Sequence, residues 1–345
     1  MLERTGVTIP EGVTLGLLAV IVLAVIFDYI NGFHDTANAI ATSVATRALR
    51  PSHAILMAAA FNFIGAFAGT AVAKTIGAGL VDEATTTTAV VMAALLGAIT
   101  WNLITWRLGI PSSSSHALIG GLLGATVIAA GWGALNVQGI VNKVLVPLVT
   151  SPMIGFFGAL LLIVALFWTF RRSLRRPLAR RFRRLQVVSA GFMAFAHGSN
   201  DAQKTMGIIT LALVSAGLIP GGDNLVIPWQ VIVISATAIS LGTAAGGWRI
   251  MRTMGHRVTE LEPITGFAAE TTAATVIYTA AHFGMPVSTT HVISSAIMGV
   301  GTSKGTRGVR WGVARSILVA WIVTIPATAA AGALAWIVLN ALGIQ

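Results

Sequence analysis

Residues 32–38 read Gly-Phe-His-Asp-Thr-Ala-Asn, and residues 111–116 read Pro-Ser-Ser-Ser-Ser-His. The other half of the chain repeats this pair, with Gly-Ser-Asn-Asp-Ala-Gln-Lys at 198–204 and Pro-Val-Ser-Thr-Thr-His at 286–291. All four motifs interrupt apolar sequence. Polar residues at membrane depth are costly unless they line a solvent-filled cavity or a binding site. The duplicated pair therefore predicts a polar site that both halves of a membrane protein build together.

The composition is that of a membrane protein. Of 345 residues, 55% are hydrophobic and only 10% are charged, and the mean hydropathy is +0.84. Soluble domains carry about a quarter charged residues, so we expect a polytopic protein in a lipid bilayer. The net charge of +11 does not indicate a nucleic-acid partner, because eight of the 22 basic residues are arginines within 171–184. The absence of cysteine excludes disulfides, thiolate ligands and a cysteine nucleophile.

Ten apolar segments are candidates for crossing ~30 Å of hydrocarbon, which takes roughly 17–25 residues each. They are 13–46, 54–73, 89–106, 111–131 and 144–170, then 187–218, 228–250, 263–283, 286–301 and 314–342. Each group of five carries its motifs in the first and fourth segments, and we expect the first segment of each to be broken at the motif. The predicted fold is an all-α polytopic membrane protein of two repeats, 1–170 and 187–345, in which broken or re-entrant half-helices carry the motifs. Residues 171–186 form a basic linker.

Loop charges predict the orientation. The arginine-rich loops fall on one side of this threading, whereas Asp82, Glu83 and Asp223 fall on the other, so the basic linker is expected in the cytoplasm and both termini outside. Because each repeat has five segments, the second repeat starts from the opposite side of the membrane and is inverted relative to the first. This architecture is typical of secondary transporters. The N-terminus lacks a small-residue cleavage signal, so no removable signal peptide is expected.

Aligning the two copies of the first motif pairs Asp35 with Asp201. A carboxylate in mid-membrane must bind a cation, bind a proton or face water. The alternative is a structural acid that caps a broken helix or pairs with a base. Duplication on inverted repeats favours the first interpretation, because it brings both acids to one site.

The second motif predicts two helix starts rich in hydroxyl groups. Pro111 and Pro286 end any preceding helix and suit the first turn of the next one. Hydroxyls beside free N–H groups at the positive end of a helix dipole form an oxyanion site. The alternative is that these Ser and Thr side chains only join helices. Two matched copies, closed by His116 and His291, favour anion binding.

These motifs, in this order along nearly the whole chain, resemble the inorganic phosphate transporter (PiT) family. The resemblance implies an inverted-repeat bundle in the bacterial inner membrane, usually a homodimer, that binds phosphate between the repeats without a cofactor. It places phosphate on Ser113, Ser114, Ser115, Ser288, Thr289 and Thr290, and the coupling or substrate site at Asp35, Asn38, Asn200 and Asp201.

The asymmetry of the motifs bears on the coupling ion. Sodium-coupled relatives tend to carry Asn-Asp-x-x-Asn-Ala twice, whereas here His34 replaces the first Asn and Lys204 the last one. This pattern resembles the low-affinity proton-coupled branch. The ammonium of Lys204 would lie where a second sodium ion otherwise binds, and a histidine such as His34 can carry a proton near neutral pH. We therefore expect H⁺/phosphate symport, of phosphate or of a neutral metal-phosphate complex.

Other candidate residues and functions remain open at this point. His116, His291 and the mid-span Glu270 complete the candidate coupling residues. Sodium coupling, with Na⁺ at Asp35 and Asp201, is the alternative mechanism, and a sulfate permease of the same superfamily is the alternative substrate class. An enzyme is not expected, because adjacent Ser and His on a helix do not face one another.

Overall fold

The computed structural model describes residues 11–82, 85–222 and 225–344. These ranges are helical, and their one β feature is an isolated bridge between Val81 and Leu135. Glu83 and Asp223, two of the acids used to predict orientation, lie outside the described residues.

The first half contains seven named helices in its described part. They are α1 (Glu11–Ala45), α2 (Pro51–Gly65), α3 (Ala71–Ala78), α4 (Thr88–Leu108), α5 (Ser114–Ala130), α6 (Val137–Ile140) and α7 (Val146–Thr169). A π-helical turn, Val141–Leu145, joins α6 to α7 in one long rod.

The second half follows the same plan. Its described helices are α8 (Arg175–Ser215), α9 (Trp229–Ala245), α10 (Trp248–Arg252), α11 (Pro263–His282), α12 (Thr289–Thr302) and α13 (Trp311–Ala341). The predicted segments correspond to these helices, except that the second segment of each half is divided, at 246–247 between α9 and α10 in this half. The single span predicted at 54–73 is two helices, α2 and α3, separated at 66–70.

The predicted break of the first segment in each half is wrong. α1 runs without interruption for 35 residues through 31–38, and α8 runs for 41 residues through the second copy of the motif. The polar side chains find partners on other helices, and Thr36 Oγ1 donates to the Gly32 carbonyl at 2.5 Å, so the backbone has no need to open. The fourth segments do match the expectation of half-helices. α5 has 17 residues and α12 has 14, and an extended link precedes each.

Several helices are long and apolar enough to cross a membrane, which makes this a multi-pass membrane protein. Four described stretches qualify singly, namely Leu15–Ala45, Thr88–Leu108, Val137–Thr169 and Trp311–Ala341. α9 and the helix that follows it qualify as a pair bent by 59°. The remaining predicted segments are shorter or carry polar motif residues, so length and apolarity alone recover fewer spans than the ten expected.

The packing places the motif-bearing helices inside the bundle. α1 and α8 pack against each other, α1 also packs on α9 and α4, and α8 also packs on α2, α3 and α11. α5 lies between α4 and α13, and α12 lies between α7 and α11. The motif residues are consequently buried among other helices, away from the lipid-facing surface.

Candidate functional site

The two Ser/Thr motifs adopt the same local structure. Gly109 and Gly284 terminate the preceding helices with positive φ of 67° and 66°, a conformation that glycine adopts without strain. The chain is then extended until Ser113 begins α5 and Ser288 begins α12. The predicted helix starts are therefore present. Each proline lies in the extended link before the cap, which corrects the expectation that it occupies the first helical turn.

Ser113 and Ser288 act as N-caps. The Ser113 hydroxyl accepts from the N–H of His116 at 3.1 Å, and the Ser288 hydroxyl accepts from the N–H of His291 at 3.2 Å. N-cap hydroxyls satisfy one of the free N–H groups of a helix start. Of the predicted anion-binding hydroxyls, these two fix the helix ends, whereas Ser114, Ser115, Thr289 and Thr290 extend beyond the caps.

One side of the site comes from α1. Nδ1 of His34 and Oδ1 of Asp35 are hydrogen-bonded at 2.6 Å, and His34 Nε2 lies 3.1 Å from the Thr105 hydroxyl of α4. The Asn38 amide donates to Thr290 at 2.8 Å, and the Thr290 hydroxyl donates to Asp35 at 3.4 Å. The first copy of the motif is thus tied directly to the start of α12.

The other side comes from α8. The Lys204 ammonium pairs with the Asp201 carboxylate and also donates to the Ser115 hydroxyl. His197 Nε2 lies 3.3 Å from the second Asp201 oxygen, and Thr289 donates to that oxygen over the same distance. The second copy of the motif is thus tied to the starts of both half-helices.

The acids from the two halves meet. Ligand atoms of Asp35, His197 and Asp201 lie within 4.8 Å of one another, and all three residues are buried. Carboxylates this close repel unless a positive charge lies between or beside them. Carboxylate oxygens suit hard cations, and the carboxylate–histidine pairs also suit proton exchange. The cluster can therefore hold or exchange a cation or a proton.

Hydrogen-bond donors suited to an oxyanion contact these acids or their direct partners. They are the hydroxyls of Ser115, Thr289 and Thr290, the Asn38 amide and the Lys204 ammonium. Ser114 Oγ, Asn38 Oδ1 and Asn200 Oδ1 are buried without a hydrogen-bond partner, and the Asn200 amide only reaches the Met285 carbonyl at 3.5 Å. The starts of α5 and α12 add the positive ends of two helix dipoles. Four of the predicted substrate-binding residues, Asn38, Ser115, Thr289 and Thr290, are therefore linked by hydrogen bonds to the acids, directly or through a neighbouring residue.

Glu270 lies apart from the motif cluster. It accepts from Ser189 at 2.5 Å, from Gln186 at 3.3 Å and from Thr42, which is seven residues beyond Asp35 on α1. Three donors satisfy this carboxyl group within a polar cluster of its own. The structure does not bring Glu270 into contact with Asp35 or Asp201.

The two histidines that close the Ser/Thr motifs contact each other. The ring centroids of His116 and His291 are 4.7 Å apart, and the His291 ring stacks on Trp321 at 4.1 Å. His116 lies on α5 and His291 on α12, each directly after the Ser or Thr residues of its motif. Their ring contacts join α5, α12 and α13 and do not involve the two aspartates.

Three further groups shape the site, and sequence reasoning missed two of them, Asn62 and Thr105. His197 faces Asp201 from the preceding turn, a relation that the i, i+4 spacing on a helix signals. Asn62 of α2 lies 3.0 Å from His197 Nδ1, and Ser112 donates to Thr105 at 2.9 Å. No sequence pattern identifies Asn62 or Thr105, because their roles depend on packing between helices distant in sequence.

Comparison with known proteins finds relatives that match nearly the whole chain. The model of the phosphate transporter family matches residues 31–332. A probable low-affinity inorganic phosphate transporter of Bacillus subtilis strain 168 is 48% identical over 325 residues, covering 94% of this chain and 97% of the relative. A protein of Rhizobium meliloti strain 1021 with the same name is 49% identical over 321 residues, covering 93% and 95%. A solved structure of a sodium-dependent phosphate transporter superposes with a TM-score of 0.82 at 25% identity, covering 94% of this chain and 99% of that one.

Proposed function

This chain belongs to the phosphate transporter family, and on that premise we propose that it is a proton-coupled symporter of inorganic phosphate. Phosphate transport is what the family and the names of its relatives have in common. The family consists of transporters, so the chain is not an enzyme. The coupling to protons is the part of the proposal that rests on the geometry of this chain.

The proposed phosphate site lies between the starts of α5 and α12. Ser114, Ser115, Thr289 and Thr290 supply hydroxyl donors, and Lys204 supplies a charge-assisted donor. In the described conformation the two threonines donate to Asp201 and Asp35. A bound phosphate would take over these donors, so the acids and the anion compete for the same hydroxyls. That competition links the substrate to the coupling residues.

The observation that carries proton coupling is the position of Lys204. Its ammonium occupies the space between Asp201 and Ser115, where a metal cation would otherwise neutralise the carboxylate. On α1, Nδ1 of His34 lies 2.6 Å from Oδ1 of Asp35, so an imidazole that can bind or release a proton is in direct contact with the acid of the first motif. The relative of known structure is named as sodium-dependent, so sodium coupling is the competing mechanism.

The same cluster supports a neutral metal-phosphate complex as a transported species. Oxygen atoms of Asp35 and Asp201 lie close enough to share one divalent cation with a phosphate. In that form the cation is cargo that travels with the anion. Uptake of Mg²⁺ in step with phosphate, measured in the same vesicles, would support this species.

We also propose the organisation of the whole molecule. Residues 1–170 and 187–345 form two inverted repeats joined by the basic stretch 171–186, which lies in the cytoplasm, and the protein is a homodimer in the bacterial inner membrane. The α8 helix already begins at Arg175, so the basic stretch is partly the first turns of that helix. Bacterial relatives of nearly equal length support the cellular setting.

Uptake into proteoliposomes tests the proposal. With purified protein, an acidic exterior and no sodium on either side, labelled phosphate should accumulate above its equilibrium level and collapse when a protonophore is added. Strict dependence on Na⁺ would refute proton coupling. Competition between unlabelled phosphate and sulfate tests the substrate, because only hydrogen phosphate offers an O–H to Asp35 or Asp201; equal inhibition by sulfate would refute phosphate selectivity.

A further inference from the structure

A third buried aspartate lies on α1, two turns before Asp35. Asp28 is fully buried, and neither of its carboxylate oxygens has a hydrogen-bond partner. Its neighbours are Asn31 on the same helix and Thr205 on α8. The side-chain polar atoms of Asn31 and Thr205 are also buried without partners. Two helices therefore bring a carboxyl, an amide and a hydroxyl group together in the interior.

Asp28 differs from the other two aspartates in its charge environment. Asp35 is bonded to His34, and Asp201 is paired with Lys204 and faces His197. In the described part of the chain, no salt bridge joins a basic side chain to Asp28. The charged groups that act on it are Asp201, which repels its ionised form, and Lys204, which is already engaged by Asp201.

This environment favours a neutral carboxyl group. An ionised carboxylate without a partner is strongly disfavoured inside a membrane protein, and a group in that position takes up a proton or a cation. We propose that Asp28 is the carboxyl group that carries the transported proton. The inference rests on the proton coupling proposed above and assigns it to a residue outside both pairs of motifs.

The same geometry gives a reason for symport. Phosphate bound beside Ser115 adds negative charge next to Lys204 and Asp201, and that charge further disfavours the ionised form of Asp28. Phosphate and proton therefore favour each other's binding, as linkage requires. When phosphate leaves on the inner side, the balance returns toward ionisation, and the Asp28 O–H gives its proton to water in the opened cavity.

The test separates driven uptake from exchange. In proteoliposomes, D28N should lose accumulation driven by a pH gradient yet continue to exchange internal for external labelled phosphate, which needs no net proton movement. D82N is the matched control, because Asp82 is exposed in the link between α3 and α4 and undergoes the same chemical change. D28E should restore part of the driven uptake. Accumulation by D28N at the wild-type level, or loss of exchange together with accumulation, would overturn the inference.

Infrared difference spectroscopy gives a reading that does not depend on transport. Wild-type protein should show the carbonyl stretch of a protonated carboxylic acid that changes on adding phosphate, and D28E should shift that band. The same band in both proteins would overturn the assignment, even if D28N did not fold. If uptake by the wild type is driven by sodium and the band of Asp28 still responds to phosphate, proton coupling as proposed above is refuted. Asp28 remains a proton site in that case. A Na⁺-induced loss of the band would instead make Asp28, Asn31 and Thr205 a sodium site.

Discussion

At the scale of single residues, the Asp201–Lys204 pair determines the electrostatics of the site. Both side chains are buried, and the pair also contacts Ser115 and faces His197. A buried ion pair gains little over an apolar pair of the same shape, but breaking it leaves an uncompensated charge in a medium of low dielectric constant. Such a pair is better explained by function than by stability, since the chain could be stabilised more simply.

The pair predicts non-additive effects of substitution. K204M should destabilise the protein by about 3–5 kcal/mol, because the Asp201 charge loses its ammonium partner and is left with His197 and the Thr289 hydroxyl. D201N/K204M should recover much of that loss, because the second change removes the uncompensated charge. Unfolding of the four proteins of this double-mutant cycle in detergent measures the coupling. Additive effects of the two substitutions would contradict a direct ion pair.

Thr290 links the anion site to the acid on α1, which makes a second prediction. T290V removes the hydroxyl that donates to Asp35 and accepts from Asn38, while it nearly keeps the side-chain shape. A hydrogen bond to a charged group contributes about 1.5–3 kcal/mol, so phosphate affinity should fall roughly tenfold or more.

The matched control for T290V is T210V. Thr210 is also buried, on α8, but its hydroxyl donates only to the Met206 carbonyl of its own helix at 2.7 Å. Calorimetry on both purified variants measures their phosphate affinities and compares them. Unchanged affinity in T290V, or an equal loss in T210V, would refute a direct role for Thr290.

The sequence predicts which chemical groups form the site better than it predicts which residues contact one another there. The alignment of Asp35 with Asp201 and the hydroxyl-rich helix starts follow from residue type and spacing, and the structure places these groups together. Ser113 and Ser288 differ from the neighbouring Ser and Thr residues because they cap the two helices. This role can be assigned only when the first residue of each helix is known. Asn62 and Thr105 enter through packing between helices, which a single sequence does not encode locally.

At the scale of elements, the long helices cross at glycines. Gly32 of α1 meets Gly242 of α9, and a Cβ atom on Gly242 would lie 2.1 Å from the Tyr29 carbonyl oxygen. The equivalent crossing of α8 and α2 uses Gly198 and Gly65, where a Cβ atom on Gly65 would lie 2.2 Å from the Phe195 carbonyl oxygen. Small residues allow such close approach of helices in membranes.

These crossings predict a cost for the smallest possible substitution. G242A should lower stability by about 1–3 kcal/mol or more, because the added methyl group meets backbone atoms that cannot rotate away. G312A is the control: Gly312 lies on α13 with no heavy atom within 4 Å of a Cβ atom there. The control should be neutral or slightly stabilising, as alanine favours helix. Equal melting temperatures for the two variants in detergent would show that α1 and α9 do not meet this closely.

Helix positions were predictable from apolar length, whereas helix continuity was not. The boundaries of α4, α11 and α13 lie within a few residues of the predicted segments. The motif in α1 was expected to interrupt the helix because polar residues at membrane depth often accompany open backbone. Side chains of α4 and α12 bond to His34 and Asn38 of that motif instead, and the helix remains closed.

At the scale of the whole molecule, the helix pairs recur in matching sets. α5 packs on α13 as α12 packs on α7, and α1 packs on α9 as α8 packs on α2. α1 packs on α4 as α8 packs on α11. The glycine crossings and the paired caps at Ser113 and Ser288 follow the same correspondence. An exchange of halves about a two-fold axis accounts for all of these pairings, and this supports the proposed repeat.

The inverted repeat makes a prediction about sidedness that this chain is suited to test, because it has no cysteine. Exposed Gln138 lies in the first turn of the 33-residue helical stretch Val137–Thr169, and exposed Ser173 lies just beyond its other end. The stretch spans about 50 Å at 1.5 Å per residue and so exceeds the hydrocarbon core. Thr306 lies between α12 and α13, the link equivalent to the one that holds Gln138. In inverted halves, equivalent links face opposite sides. A membrane-impermeant maleimide should therefore label Q138C in intact cells, but label S173C and T306C only after permeabilisation. Labelling of Q138C and T306C from the same side would refute inversion, whereas the full reverse pattern would keep the inversion and turn the molecule over in the membrane.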